Sequence, residues 1–523
     1  MRTHFAKLTL LFLASASFVF AQKSVPLKVK TETGIVEGKT EGSARAFLGI
    51  PYAAPPVGEL RWKAPAPAVA WTGVRKATEF GARCMQGNVY GDMVFRDAGP
   101  SEDCLTLNVW TPAKDAKAKL PVMVWIYGGG FAAGGTSEPR QDGATLTREG
   151  VAVVSMNYRL GIFGFFALPE LIAESGKNSA GNYGLLDQLA ALQWVKRNIA
   201  AFGGDSGNVT IFGESAGSFS VSQLMASPLA KGFFHKAIGE SGANFSNKSV
   251  AFVTLADSAR ENAEYAKKNL GTDLLKELRA IPADKLLAEV SKPEARRQGL
   301  GVNVDGYFLP KPVPEIFAAG QQNDVPLLAG WNHDEGSFSI AFAKPPVTAA
   351  TVKESVEKEF GAKSTEFFKL YPADNETTAV RSWEDFVSDR FISFGTWKWL
   401  EAQATKSKQP VYRYRFDLAP PRDPKGPEGM GAYHSAEIEY VFGTLEWRIP
   451  ALWRSEDRAL SELMRKYWSN FARSGDPNGP GLPNWPKYKP RADAQVMYLN
   501  TQSKAEKDVQ RERYLFMQSS WEK

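Results

Sequence analysis

The sequence predicts an α/β protein with a large, mostly parallel central sheet and helices on both faces. Residues 120–126 and 151–156 are nearly continuous apolar, β-branched runs, which is typical of strands covered on both sides. Residues 185–199 repeat apolar side chains at helical spacing. Strand and helix patterns alternate through the first two thirds of the chain, which favours parallel strands joined by helices.

The remaining elements follow the same logic. Further strand patterns lie at 27–38, 105–110, 209–212, 236–240, 325–330 and 411–416. Helical patterns follow at 218–225 and 455–472. Residues 345–405 are mainly polar and helical, so we expect helices inserted beside the sheet.

Composition and the N-terminus bound the class of protein. The 523 residues are 43% apolar and 23% charged, which is ordinary for a globular protein. A net charge of +6 without blocks of basic residues argues against binding to nucleic acid.

Arg2 and Lys7 precede an apolar run, and Ala21 fits a cleavage site, so residues 1–21 are predicted to be a signal peptide. The alternative, an uncleaved anchor, is disfavoured because the run is short for a membrane span. We expect residues 22–523 to form a single domain in a secreted or periplasmic protein.

The chain has two cysteines, Cys84 and Cys104. An even count in an exported chain predicts one disulfide, whereas the alternative is two buried free thiols. Neither cysteine has metal-ligand spacing, and the sequence suggests neither a metal nor an organic cofactor.

The segment Gly213-Glu214-Ser215-Ala216-Gly217 lies between a short apolar strand and a helix. A serine on such a turn is exposed, and the flanking glycines let other backbone pass close to it. Ser215 is therefore the candidate nucleophile for acyl transfer.

A second glycine-rich segment, Gly128-Gly129-Gly130, follows the buried strand 120–126. Its backbone N–H groups, with that of Ala216, can form an oxyanion hole. The alternative is a tight loop that only requires positive φ angles.

A serine nucleophile requires a base, and the chain has four histidines. His4 leaves with the signal peptide, His235 precedes a strand as a surface connector, and His333 adjoins the candidate acid. His434 follows a glycine-rich segment, which is typical of a loop over an active site, and is therefore the candidate base.

The candidate acids are Asp334 and Glu335, which follow the strand 325–330 and can orient a histidine. The residues alone leave the choice open, since Asp334 can instead cap a helix that begins near Ser337. In either case the chain order is serine, acid, histidine, as expected of an α/β-hydrolase fold.

Longer motifs extend in sequence order over nearly the whole mature chain. They are Phe47-Leu48-Gly49-Ile50-Pro51-Tyr52-Ala53, Pro55-Pro56-Val57-Gly58 with Arg61, Ser101-Glu102-Asp103-Cys104-Leu105-Thr106-Leu107-Asn108, the triple-glycine loop, Asn157-Tyr158-Arg159, Gly184-Leu185-Leu186-Asp187-Gln188, the serine turn, and Phe471-Ala472-Arg473-Ser474-Gly475-Asp476-Pro477-Asn478. With these motifs the chain resembles the type-B carboxylesterase family, which includes bacterial p-nitrobenzyl esterase-like enzymes and the cholinesterases.

The resemblance implies roles for particular residues. It implies that the acid is Glu335, that the oxyanion donors are Gly129, Gly130 and Ala216, and that the family's first disulfide is Cys84–Cys104. It further implies two structural ion pairs, Arg61–Glu102 and Arg159–Asp187, whose alternative is unrelated surface pairing of little energetic value. Ser241, in the similar stretch Gly239-Glu240-Ser241-Gly242, is expected to lie near the nucleophile without replacing it.

One departure from the family pattern narrows the class of ester that the protein is expected to hydrolyse. Cholinesterases carry a tryptophan inside the first disulfide loop that attracts quaternary ammonium groups. Residues 85–103 contain no tryptophan, and Tyr90 and Phe95 are their only aromatic residues. Choline esters are therefore disfavoured.

The sequence as a whole predicts a serine carboxylesterase that hydrolyses small-molecule esters through an acyl-enzyme, with the inserted helices covering the active-site mouth. Two alternatives are a non-catalytic adhesion module of the same fold and a lipase for long-chain esters. The complete set of candidate residues disfavours the first alternative, and the short, mixed-polarity segment 85–103 disfavours the second.

Overall fold

The computed structural model describes residues 26–245, 252–292, 300–424 and 426–521. The predicted signal segment, residues 1–21, lies outside these ranges. Among the helices within them, none is long and apolar enough to cross a membrane.

The strands are numbered in chain order. They are β1 Lys28–Lys30, β2 Ile35–Glu37, β3 Lys39–Glu41, β4 Ala44–Pro51, β5 Val74–Lys76, β6 Arg83–Cys84, β7 Pro100–Ser101, β8 Thr106–Thr111, β9 Leu120–Ile126, β10 Ala152–Met156, β11 Gly204–Glu214, β12 Lys236–Glu240, β13 Val253–Thr254, β14 Asn303–Val304, β15 Leu327–Asn332, β16 Val411–Phe416, β17 Gln495–Leu499 and β18 Lys504–Lys507.

The α-helices are numbered in the same way. They are α1 Gly161–Gly164, α2 Pro169–Glu174, α3 Tyr183–Asn198, α4 Ala216–Ala226, α5 Leu255–Leu270, α6 Leu275–Ala280, α7 Ala283–Val290, α8 Val313–Ala318, α9 Phe338–Ala341, α10 Ala349–Phe360, α11 Ser364–Leu370, α12 Glu376–Ser388, α13 Phe394–Lys406, α14 Ile438–Phe442, α15 Ser455–Ser474 and α16 Arg511–Trp521. A π-helix, Asp389–Ser393, joins α12 to α13.

Eleven strands form the central sheet, in the order β18-β17-β16-β15-β12-β11-β9-β10-β8-β4-β3. The seven strands from β17 to β10 are parallel to their neighbours, whereas β18, β8, β4 and β3 pair antiparallel at the two edges. This is a mixed sheet with a parallel centre, and the predicted α/β-hydrolase fold is confirmed. The strand pattern at 27–38 belongs to a separate sheet of β1, β2 and β5.

The centre of the sheet forms the core. Every residue of β10, β12 and β15 is buried, as expected of strands that are covered on both faces. Helix α3 packs much of its length into the core, including Leu185, Leu192 and Trp194. Because β11, β12 and β15 are parallel neighbours, their carboxyl ends lie together at one edge of the sheet, where ligand sites of open α/β folds form.

Candidate active site

Ser215 occupies a sharp turn between β11 and α4. Its backbone has φ 53° and ψ −122°, a conformation that a non-glycine residue adopts only at an energetic cost. Its N–H donates to the carbonyl of Glu240 at the end of β12, at 2.9 Å, which fixes the turn to the neighbouring strand. The strain and the anchoring present the hydroxyl beyond the edge of the sheet.

Packing requires the two glycines that flank Ser215, Gly213 and Gly217. A Cβ at Gly217 would collide with the carbonyl oxygen of Ile126, the last residue of β9. A Cβ at Gly213 would lie 2.6 Å from the same oxygen. Both glycines therefore let α4 and β11 approach the end of β9 closely.

His434 lies between Ser215 and Glu335. Its Nε2 is 2.9 Å from the Ser215 Oγ, and its Nδ1 is 2.5 Å from Oε2 of Glu335. Glu335 is fully buried, and its other oxygen accepts the backbone N–H of Asn332 at 2.7 Å. The three side chains form a continuous hydrogen-bonded chain in which the carboxylate can orient the imidazole toward the hydroxyl.

Asp334, the other candidate acid, contacts backbone instead of His434. Its N–H donates to the carbonyl of Ala432 at 3.0 Å, and its Oδ2 accepts the N–H of the same residue at 2.8 Å. The side-chain amide of Asn332 donates to the carbonyl of Tyr433 at 2.7 Å. The segment that carries the acid is thus tied directly to the segment that carries His434.

An ion pair fixes Asp334 in this position. Arg381 Nη1 lies 2.7 Å from its Oδ1, and His333 Nδ1 lies 3.2 Å from the same oxygen. Burial would raise the pKa of the Asp334 carboxyl, but His333 and Arg381 outweigh burial and hold this pKa well below its usual value.

His235, which the sequence predicts to be a surface connector, is half-buried and accepts the N–H of Val209 through its Nδ1 at 3.1 Å.

The triple-glycine loop lies against the serine turn. A Cβ at Gly128 would lie 2.9 Å from the Ser215 Cβ. In the described part of the chain, the N–H groups of Gly129 and Gly130 donate to no carbonyl or side chain. Ala216 is the first residue of α4, so its N–H has no partner within the helix. The structure thus gives the three predicted oxyanion donors no hydrogen-bond acceptor among the described residues, and the loop that carries two of them lies against the serine turn.

Tyr90 of the disulfide loop lies close to this loop. A Cβ at Gly130 would lie 3.0 Å from the Tyr90 hydroxyl oxygen. Phe95, the other aromatic residue of that segment, instead packs against the Arg83 guanidinium at 4.6 Å.

Buried carboxyl groups surround the site, and the sequence did not predict them. Glu214 precedes the serine and places Oε1 3.2 Å from His434 Nε2. Glu437 accepts the Asn332 side-chain amide at 2.5 Å and the Ser241 hydroxyl at 3.4 Å. The available signals were their positions within the same motifs, beside Ser215 and three residues after His434.

Burial and mutual repulsion raise the pKa of these carboxyl groups. Burial raises the pKa of Glu214 to about 7, although His434 and Arg140 lower it. Burial raises the pKa of Glu240, which accepts the Trp468 indole N–H at 2.8 Å, to about 8. Burial and the neighbouring carboxylates raise the pKa of Glu437 well above its usual value.

The same carboxylates act on His434. Burial alone would lower the pKa of the imidazole, but Glu214 and then Glu335 raise it to about 9. The site therefore stabilises imidazolium, the species that forms when a histidine takes the proton of a serine hydroxyl.

The predicted disulfide and both ion pairs are present in the structure. Cys84 is bonded to Cys104. Arg61 makes two contacts with Glu102, of 2.6 and 2.7 Å, and also donates to three backbone carbonyls around Leu278–Ile281.

The second pair, Arg159 and Asp187, is bidentate at 2.8 and 2.7 Å and almost completely buried. Removing one partner of such a buried pair costs much stability, in contrast to pairs at the surface, because the other charge is left buried and unpaired.

Across the ranges that the structure describes, no group of three or more His, Cys, Asp or Glu side chains could hold a metal ion.

The fold, the strained serine turn and the histidine–carboxylate chain define a hydrolase of the α/β-hydrolase class. The model of the Carboxylesterase family matches residues 25–517, so the chain belongs to that family. It is a carboxylic ester hydrolase of the serine type.

Similar proteins cover nearly the whole chain. The fumonisin B1 esterase of Sphingopyxis macrogoltabida is 37% identical over 92% of this chain and 88% of its own length. The para-nitrobenzyl esterase of Bacillus subtilis is 35% identical over 93% of this chain and 97% of its own. A crystal structure of a carboxylesterase from Geobacillus stearothermophilus superimposes with a TM-score of 0.80 at 34% identity, covering 95% of this chain and 100% of that one.

Proposed function

We propose that Ser215 is the nucleophile of this esterase, that His434 is its general base and acid, and that Glu335 orients His434. The observation that carries the proposal is the hydrogen-bonded chain from Ser215 Oγ through the imidazole to Glu335. Since Ser215 is also held in a strained turn, its hydroxyl is preorganised for attack.

The reaction then proceeds in two acyl transfers. His434 Nε2 takes the hydroxyl proton as Ser215 Oγ bonds to the ester carbonyl carbon, and the oxyanion is held by the N–H groups of Gly129, Gly130 and Ala216. Each such donor typically contributes about 3–4 kcal/mol to the transition state. The carbon–oxygen bond to the alcohol breaks, and imidazolium gives its proton to the leaving oxygen. Water, deprotonated by the same imidazole, then hydrolyses the acyl-enzyme.

We propose that the substrates are small-molecule carboxylic esters, since the chain belongs to the Carboxylesterase family and its bacterial relatives are named as esterases. Choline esters are disfavoured because residues 85–103 contain no tryptophan.

Hydrolysis of p-nitrophenyl acetate tests the assignment of the base. His434→Ala should lower kcat by several orders of magnitude, as Ser215→Ala should, because each removes a member of the proton-transfer chain. His235→Ala is the matched control, since that ring contacts the backbone of Val209. Near-normal turnover by His434→Ala would remove it as the base.

We further propose that residues 1–21 are a signal removed on export and that residues 22–523 form one domain. Mass spectrometry of protein secreted or exported to the periplasm should find Gln22 as the first residue. An intact N-terminus in exported protein would contradict the cleavage.

A further inference from the structure

Two methionines differ from the others in their exposure to solvent. Nine of the ten methionines lie in the described ranges, and seven of these are buried: Met85, Met123, Met156, Met225, Met464, Met497 and Met517. The other two, Met93 and Met430, are half-buried. The two cysteines of the chain are joined in a disulfide, so no thiol competes for an oxidant. Within the described ranges, Met93 and Met430 are therefore the sulfur atoms most open to oxidation.

Met93 lies against the glycine loop that is predicted to hold the oxyanion. It belongs to the segment closed by the disulfide, where its N–H donates to the carbonyl of Tyr90 at 3.4 Å. A Cβ at Gly129 would lie 3.2 Å from Cε, the methyl carbon of Met93. Met93, Gly129 and Glu214 also line the same small cavity. The sulfur of Met93, which is bonded to Cε, thus lies beside the backbone of Gly129.

Met430 offers a comparison on the other side of the site. It precedes the segment 431–434 that carries the candidate base, and its sulfur accepts the Ser337 hydroxyl at 3.8 Å. The two residues share their chemistry and are both half-buried, but Met93 is the one that lies beside an oxyanion donor.

A hydroperoxide oxidises a methionine by transferring one oxygen atom. A sulfur lone pair attacks the outer peroxide oxygen, the S–O bond forms as the O–O bond breaks, and the proton of the transferred oxygen passes to the leaving oxygen. With hydrogen peroxide the products are the sulfoxide and water, so the sulfur is oxidised by two electrons and the peroxide is reduced by two. The sulfoxide is polar, and reductases can convert it back to the thioether.

We propose that Met93 is a site of reversible oxidation by hydroperoxides, and that its sulfoxide oxygen inhibits the esterase by accepting the N–H of Gly129. The proposal rests on the proposed function, in which that N–H holds the oxyanion. The N–H of Gly129 has no acceptor among the described residues, so a strong acceptor bonded to the neighbouring sulfur competes for it with the substrate oxygen. Loss of one oxyanion donor typically lowers kcat about 100- to 1,000-fold.

Graded treatment with hydrogen peroxide, followed by hydrolysis of p-nitrophenyl acetate, tests the proposal. The proteins are the unsubstituted chain, Met93→Leu, Met430→Leu and the double variant, each compared with its own untreated activity. Peptide mass spectrometry measures the fraction of each methionine that has gained an oxygen. As Met93 becomes fully oxidised, kcat should fall at least about tenfold in the unsubstituted protein and in Met430→Leu. The two proteins that carry Met93→Leu should retain their activity under the same treatment.

A methionine sulfoxide reductase separates this modification from general damage. After the peroxide has been removed, the reductase should restore kcat in step with the loss of the added oxygen from Met93. Thermal unfolding checks that each variant is folded before treatment and that the oxidised protein remains folded.

Equal loss of activity in Met93→Leu and in the unsubstituted protein would overturn the proposal. So would full oxidation of Met93 without a fall in kcat, or oxidation of Met430 while Met93 gains no oxygen. Failure of the underlying function looks different, because the untreated, unsubstituted protein would then not hydrolyse the ester in a Ser215-dependent way.

Discussion

The carboxylate of Glu214 should set the pH at which His434 becomes an effective base. Its Oε1 lies 3.2 Å from the imidazole Nε2, and it is the first of the carboxylates that raise the His434 pKa to about 9. Turnover requires neutral imidazole, so the acid limb of kcat/KM should have its midpoint well above the ordinary histidine value of about 6.5. In that range Glu214 is ionised, because its own pKa is raised only to about 7.

Glu214→Gln removes this charge and should move the acid limb to lower pH. At 3.2 Å and an effective dielectric constant of about 20, Coulomb's law gives an attraction of roughly 5 kcal/mol. Arg140, which acts on the Glu214 charge, offsets part of this attraction, and Glu335 remains in place at 2.5 Å. We therefore expect a shift of about one to two pH units, equivalent to roughly 1.4–2.7 kcal/mol.

The assay is kcat/KM for p-nitrophenyl acetate from pH 5 to 10, for the unsubstituted protein and Glu214→Gln. Glu439→Gln is the matched control: this buried carboxyl interacts with Arg140 and Trp447 and is not among the charges that raise the His434 pKa. An acid limb that stays in place in Glu214→Gln, or that moves upward, would refute the electrostatic reasoning.

Three further predictions concern the supports of the site. Asp334→Ala should lower kcat about 10- to 100-fold in a folded protein, checked by circular dichroism, because it releases the backbone of Ala432 beside the base; unchanged kcat would contradict this. Replacing both Cys84 and Cys104 by serine should lower the free energy of unfolding by about 3 kcal/mol in urea while kcat is kept, and equal stability would contradict it. Asp187→Asn should cost about 3–5 kcal/mol in the same measurement, since it leaves a charged arginine buried; a surface-like cost below about 1 kcal/mol would argue against a buried pair.

The central strands could be predicted from the sequence because burial on both faces leaves a local signal. The patterns at 120–126, 236–240 and 411–416 coincide with β9, β12 and β16 at both ends. The edge strand β18 was not predicted, because an exposed strand leaves no such signal. Strand β18 consists of Lys504, Ala505, Glu506 and Lys507 and is largely exposed, so its pairing with β17 leaves no apolar pattern.

The site was predicted where chemistry restricts the residue type within a short segment. The serine turn and the glycine loop are local motifs, and counting histidines was enough to select His434. The local pattern left Asp334 and Glu335 equivalent, and only the resemblance to the family favoured Glu335. In the folded chain, Glu335 lies next to His434 and Asp334 pairs with Arg381.

Contacts between residues that are distant in sequence could not be predicted from local patterns. Arg413 and Asp508 form an ion pair across 95 residues, with both side chains about 1% exposed. The only available signal was Arg413 itself, one of two arginines in the strand Val411–Phe416, whose other four residues are apolar or aromatic. Such a residue indicates a buried partner without identifying it.

The most direct test of the central claim is covalent labelling of the nucleophile. Diisopropyl fluorophosphate should inactivate the protein at one adduct per chain, and peptide mass spectrometry should place that adduct on Ser215. Ser215→Ala should neither react nor hydrolyse p-nitrophenyl acetate. An adduct on another residue, such as Ser241 in the similar stretch Gly239–Gly242, together with turnover by Ser215→Ala, would contradict the assignment.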